Sequence, residues 1–292
     1  YRKKLKNSKS NEMKNLAIIT GADGGMGSEI TKAVAAAGYY VVMLCRTKTN
    51  GEKRKSQIVD ATGNPNIEVM EVDLSSMKET AAVTQLIKKK GMLVDLLMNN
   101  AGTMSKCFIR TSEGFENTVA VNYLAPFLLT NRLIPLMHNG TRIVNMISCT
   151  YAIGRIDDCF FTKGRRGFFF RIPIYSNTKL ALWLFTKKLS EQLKEKGIYV
   201  NAADPGIVST EIIRMDMWFD PLTDIFFRPL IRTPRQGADT AIKLLLEKDL
   251  YGVTGKMYAS GKQKKISAFY NNHPQMELLW EKTKEQLSEY LK

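Results

Sequence analysis

A short apolar run that passes into a glycine-rich turn and then an alanine-rich stretch constrains this chain more than any other feature. Leu16-Ala17-Ile18-Ile19 has no polar face, as expected of a buried parallel strand. Thr20-Gly21-Ala22-Asp23-Gly24-Gly25-Met26-Gly27 follows, and Ser28 to Ala37 has a helical composition. Strand, tight turn and helix form the repeating unit of a doubly wound sheet. Glycines at the turn let the backbone approach a pyrophosphate, whose charge then rests on the helix N-terminus. The spacing is Gly-x-x-x-Gly-x-Gly, not Gly-x-Gly-x-x-Gly, and a plain glycine turn without a ligand is the competing reading.

The remaining chain repeats the alternation. Tyr40–Cys45 reads as a second strand, closed by Arg46 with Lys48 and Lys53 close behind. Dinucleotide sites selective for NAD place an acid near this point, whereas a guanidinium suits a 2′-phosphate. NADP(H) is therefore favoured over NAD(H), against the reading of Arg46 as a loop residue facing water. A helix near Glu52–Thr62 leads to a strand at Ile67–Val72. Asp73 then serves either as acceptor for an adenine amino group or as N-cap of a helix near Ser76–Lys90.

Leu93–Met98 is a fourth strand ending in Asn99-Asn100-Ala101-Gly102, whose small and amide residues leave room at the sheet's crevice. Phe115 to Met137 reads as one long helix with Asn122 near its middle, where asparagine either faces water or perturbs the helix for a reason. Ser148 ends a fifth strand, Thr141–Ile147, as a turn residue or a ligand contact. A long aromatic-rich connection precedes Tyr175, and a sixth strand, Ile198–Ala203, runs into Asp204-Pro205-Gly206 and Thr210. Met215 to Ile231 is apolar but broken by Pro221 and Pro229. It reads as a lid over an apolar substrate (residues 211–233), as core packing, or as a membrane- or partner-facing surface. A helix near Arg235–Glu247, a strand near Lys256–Ala259 and a basic C-terminal helix complete a single domain over residues 15–292, behind a basic leader at 1–14.

Composition excludes several alternatives. Forty-three Lys+Arg against 28 Asp+Glu give +15, yet no helix-turn-helix, finger or aromatic-basic platform supports nucleic-acid binding. Four cysteines lack CxxC spacing and suit free thiols in a reducing compartment. Two isolated histidines, His138 and His273, form no metal cluster and make a Ser-His-Asp triad improbable. No run of ~18 apolar residues suggests a transmembrane helix. The chain is expected to be cytoplasmic, with membrane association through its basic leader or through an anchor preceding Tyr1 as a further expectation.

Tyr175-Ser176-Asn177-Thr178-Lys179 carries the chemistry. On a helix running to about Glu195, Tyr175 and Lys179 stand at i and i+4 and share a face. An unperturbed phenol titrates near ~10, and a nearby ammonium favours its ionised form.

The ordered set Thr20-Gly21-x-x-x-Gly25-x-Gly27, Asp73-Leu74, Asn99-Asn100-Ala101-Gly102, Asn122, Ser148, Tyr175-x-x-x-Lys179 and Pro205-Gly206-x-x-x-Thr210 resembles short-chain dehydrogenases/reductases over residues 14 to 260. Leu44-Cys45-Arg46, the long Ser-to-Tyr connection and Thr233-Pro234-Arg235-Gln236-Gly237-Ala238 resemble the retinol-dehydrogenase-like branch. The resemblance implies an α/β Rossmann fold with about seven mainly parallel strands and helices on both faces. It implies hydride transfer between a nicotinamide and a carbonyl/alcohol pair, with a lipophilic aldehyde or ketone as substrate (retinoid-, steroid- or fatty-aldehyde-like). Tyr175 would exchange the proton, Ser148 would hold the substrate oxygen, and Lys179 would lower the tyrosine pKa and hold the nicotinamide ribose. Asn122 would support a water-linked proton path to Lys179.

Thr20, Gly21, Asp23, Gly25, Met26, Gly27, Arg46, Asp73, Leu74, Asn100, Ala101, Gly102, Pro205, Gly206 and Thr210 would line the cofactor with Tyr175 and Lys179. Gly24 stands where many NADP-preferring members carry a basic residue, Cys149 where a second serine is common, and Asp204 has no role that the sequence explains. A homo-oligomer is a family expectation. The rival functions are an NADP-binding sensor or scaffold with a vestigial site, and epimerisation by the same Tyr-Lys pair.

Overall fold

Apolar runs without a polar face become strands between two helix layers. In the computed structural model, which describes residues 15–157, 160–161, 170–208 and 232–292, β1 (Leu16–Thr20) is buried throughout. β2 (Tyr40–Cys45) and β4 (Val94–Asn99) are nearly so. With β3 (Ile67–Glu71), β5 (Met137–Met146), β6 (Tyr199–Asp204), β7 (Met257–Ala259) and β8 (Lys262–Gln263) they form one eight-stranded sheet in the order β3-β2-β1-β4-β5-β6-β7-β8. All pairings are parallel except β7–β8. The eighth strand exceeds the seven expected. It is an exposed two-residue return and carries no apolar pattern to betray it.

Alternation along each strand feeds two cores. Leu16, Ile18, Val42, Leu44 and Leu97 pack on the face covered by α3 (Met77–Lys88), α5 (Ala125–Leu133) and α6 (Arg171–Leu193). Ala17, Ile19, Val41, Met43 and Met98 face α1 (Gly25–Ala36), α2 (Lys48–Thr62) and α7 (Pro234–Leu246). β2 and β4 flank β1 on opposite sides, so the winding reverses there and opens a crevice at the strands' carboxyl ends. Helix starts follow local chemistry. Ser76, not Asp73, caps α3 by accepting from the Glu79 N–H at 3.2 Å. Thr233 and Gln236 form a reciprocal capping box on α7, with Pro234 in its first turn.

The expected helix from Phe115 to Met137 is not continuous. It comprises α4 (Asn117–Val119), a π segment (Ala120–Leu124), α5 and a 3-10 turn (Ile134–Leu136). Pro126 lies four residues after Asn122 and has no N–H for the ordinary helical bond to the Asn122 carbonyl. Asn122 therefore perturbs the helix and does not face water; it is fully buried. Taken as a whole, Asn117–Leu136 is long and apolar enough to pass a length-and-composition test for a membrane span, contrary to the sequence expectation. Its apolar window is 72% buried within the protein, which marks it as a core helix.

α6 begins at Arg171, one turn ahead of the expected start, and ends at Leu193. Beyond β8, α8 (Ala268–Asn271) and α9 (Met276–Gln286) return to the α5–α6 face. Trp280 stacks on Phe185 with ring centroids 5.9 Å apart, and Thr283 hydrogen-bonds the Tyr123 hydroxyl at 2.8 Å. The Arg132 guanidinium donates to the carbonyls of Tyr290 and Lys292. The basic leader, Thr210 and the apolar stretch Met215 to Ile231 lie outside the described residues, as do residues 158–159 and 162–169 of the connection before α6.

Candidate active site

The glycine turn between β1 and α1 is shaped by space. Gly21 has φ +59°, a conformation that L side chains rarely adopt. A Cβ at Gly27 would stand 2.0 Å from the Gly21 carbonyl oxygen, so α1 leaves the sheet closer than any larger residue permits. No side chain caps α1, which leaves its first N–H groups for an anionic group. The Met26 side chain packs on the core beneath α7, with its sulfur close to Gly237.

Thr20 and Asn100 knot the crevice together. The Thr20 hydroxyl accepts from the Asn100 and Ala101 N–H groups, each at 2.9 Å, and donates to the Met98 carbonyl at 3.3 Å. Asn100 Nδ2 donates to the Thr20 and Gly21 carbonyls at 3.0 and 3.2 Å. Thr20 is thus a latch between β1 and β4, its hydroxyl already committed to protein partners. Asn100 Oδ1, by contrast, is buried with no partner among the described residues. An orphaned buried acceptor beside an uncapped helix and a glycine cradle fits a dinucleotide, which Gly21, Gly25, Gly27, Ala101 and Gly102 would border.

The outer positions are placed less uniformly. Arg46 is exposed just past the end of β2. Asp23 hydrogen-bonds Cys45, and burial together with that carboxylate pushes the thiol up to about 12. Asp73 Oδ1 accepts from the Ser75 N–H at 2.8 Å in a local turn. The Leu74 side chain is buried in the core beneath α3.

The second half of the site converges on Lys179. Its Nζ donates to the Met146 carbonyl at 2.9 Å and lies 5.3 Å from the Tyr175 ring centroid. A Cβ at Gly102 would stand 3.5 Å from Asn122 Oδ1 and 3.6 Å from Lys179 Nζ, so all three meet at one point. Asn122 Oδ1 accepts from the Thr103 N–H at 2.7 Å, and its Nδ2 donates to the Thr103 carbonyl and Thr178 hydroxyl at 2.8 and 3.1 Å. The amide is spent on structure; the backbone carbonyl that Pro126 deprives of its helical donor is the group of Asn122 best suited to hold a water. Proline four residues after the asparagine was the available signal, and sequence reading passed over it.

Ser148 caps the 3-10 turn Cys149–Ile153, accepting from the Thr150 N–H at 3.3 Å, and hydrogen-bonds the Tyr175 hydroxyl. The expected lowering of the phenol by Lys179 is not what this structure shows. Burial pushes Tyr175 up to about 12, opposed by the Ser148 hydrogen bond and reinforced by the Asp204 carboxylate. Lys179, 3% exposed, is itself pushed down to about 8 by burial, with Asp204 working against that shift. Desolvation is the largest cause at both groups. Pro205 and Gly206 close the site beyond β6, with Gly206 at φ +75° against the Arg232 guanidinium.

A family profile described as short chain dehydrogenase matches residues 15–217. Human retinol dehydrogenase 12 is 32% identical over 267 residues, covering 91% of this chain and 84% of that protein. Mouse retinol dehydrogenase 11 is 34% identical over 246 residues, covering 84% and 77%. Among solved structures, an uncharacterised Mycobacterium paratuberculosis protein superposes with TM-score 0.76 at 23% identity, covering 95% of this chain and 96% of its own. A blue fluorescent protein from a metagenomic library, in complex with NADPH, gives 0.66 at 24% identity over 84% and 95%.

Proposed function

The chain belongs to the short-chain dehydrogenase family and is a dehydrogenase/reductase of the alcohol/carbonyl kind; within it, we propose an NADP(H)-dependent enzyme that reduces a lipophilic aldehyde or ketone. The observation that carries this reading is the convergence of Ser148, Tyr175 and Lys179 beside the glycine cradle. Bound dinucleotide would supply the hydride. As alkoxide character develops on the substrate oxygen, Ser148 holds that oxygen by a hydrogen bond and Tyr175 protonates it. A phenol pushed up to about 12 is protonated at neutral pH, the form a proton donor needs. Lys179, mostly charged at neutral pH, is the reserve from which the phenol regains its proton.

Arg46, exposed at the end of β2, supports the 2′-phosphate preference. Apolar surface at the mouth supports the substrate class. Ile153 after the Ser148 turn, Ile172 one turn before Tyr175 and Ile207 after Gly206 are all exposed. The test is NADPH and NADH consumption, in parallel, over retinal, a steroid ketone and nonanal, with Tyr175→Phe as control. Turnover with NADPH should fall at least ~100-fold in the variant, with NADPH binding retained. Equal turnover in the variant would remove Tyr175 as proton donor, and failure to bind either dinucleotide would overturn the reading.

A further inference from the structure

Asp204 ends β6, and its surroundings give a physical basis for the influence on Tyr175 and Lys179 noted above. It is 3% exposed. Its Oδ1 accepts from the Gly206 N–H at 3.1 Å, and its Oδ2 faces Lys264 Nζ at 3.4 Å across 60 residues of sequence. Lys264 is fixed in turn: its N–H donates to the Met257 carbonyl at 2.7 Å, and its ammonium lies 5.3 Å over the Tyr151 ring, in the turn that follows Ser148. Lys179 is anchored on the adjacent strand. The Met146 carbonyl that holds its Nζ belongs to the residue paired with Ala203, and the Ile147 N–H donates to the Ala203 carbonyl at 2.9 Å. Asp204 is the next residue along β6 from that rung.

A carboxylate is not left in such a place without charged or hydrogen-bonding partners. We propose that Asp204, clamped by Lys264 and the Gly206 N–H, is a positioning residue whose buried charge keeps Lys179 an ammonium and Tyr175 a protonated phenol. Its field acts in the same sense on both groups, raising each. Other titratable or charged groups face this corner from every side. Lys264 lies on the β8 return, and Tyr151 and Cys149 on the turn after Ser148. Tyr270 meets Tyr151 edge to face. Arg232 donates to the Pro205 carbonyl at 3.2 Å and to Ser260 at 2.6 Å. Among the described residues Lys264 is the charged group in contact with the carboxylate, so its removal leaves the field of Asp204 less opposed.

This inference rests on the proton-transfer reading of Tyr175 and Lys179, but its test does not depend on turnover. The Lys179 side chain is titrated by carbon-13 NMR in substrate-free, lysine-labelled protein, with Lys179→Met to assign the signal. Asp204→Asn retains an acceptor for Gly206 and is expected to lower the Lys179 midpoint by about one pH unit, whereas Lys264→Met raises it. Opposite shifts are the signature that a merely structural pair does not give. Unmoved midpoints, or shifts of the same sign, would overturn the proposal. If Asp204→Asn does not fold, the sign of the Lys264→Met shift decides alone. Retained turnover in Tyr175→Phe would sink the proton-donor reading while leaving these midpoints where they are.

Discussion

The two halves of the site are built on opposite principles. At the β1–β4 crevice the chain uses backbone and neutral side chains: glycines too crowded to bear a Cβ, a threonine and an asparagine that tie two strand ends together, and an uncapped helix. At the β5–β6 end it places a lysine and an aspartate, each 3% exposed, around a desolvated phenol. The first half is shape without charge, and a change there costs stability and binding together. The second is charge held against solvation, so stability and activity pull apart. A dinucleotide needs a cradle that does not move, whereas proton transfer needs groups whose protonation is finely balanced.

Gly27→Ala should break the first half most severely. The added Cβ would lie 2.0 Å from a backbone oxygen that cannot yield. A loss of about 3 kcal/mol in a denaturant melt is expected, together with lost NADPH binding. A variant that melts like the parent and still binds would dissolve the contrast.

Lys179→Met should move the other way, losing turnover yet gaining about 2 kcal/mol of stability at pH 7. The sign follows from burial. The folded-state value of about 8 lies below the ordinary 10.5, so between those limits the unfolded chain binds more protons and native stability rises with pH. The variant's advantage is therefore full below pH 8 and fades towards 10.5. Tyr175 does not enter, because its phenol remains protonated in both states through most of that window. Melts from pH 6 to about 10 would check this, and a variant less stable at pH 7 would refute it.

Arg46→Asp sharpens the comparison from outside both halves. About a ten-fold shift in the NADPH-to-NADH preference, or ~1.4 kcal/mol, is expected with no change in melting. An unaltered ratio would remove Arg46 as selector.

How much of this could be read in the sequence follows the same division. The glycine turn, the strands of the sheet's centre and the Tyr175–Lys179 spacing are local patterns, and each lies close to where its pattern places it, although β5 begins at Met137, four residues before the expected Thr141. β8 was invisible because two polar residues carry no period. The interruption at Asn122 was written in Pro126 but overridden by the apolar character of the whole stretch. The raised phenol and lowered lysine could not be read at all, since burial is set by residues far away along the chain. Asp204 shows this most clearly: its partner Lys264 comes 60 positions later, from a return strand without a signature.

The Trp280 stack and the Arg132 clasp place the closing of one face of the core in the last stretch of this sequence to be synthesised. Until α9 has left the ribosome, Phe127 and Phe185 lack the indole that covers them. From the synthesis of Phe185 until α9 emerges, the nascent chain therefore carries an open aromatic surface. Ribosome-bound chains halted before residue 276 should be far more prone to aggregate than those in which Met276–Gln286 has emerged.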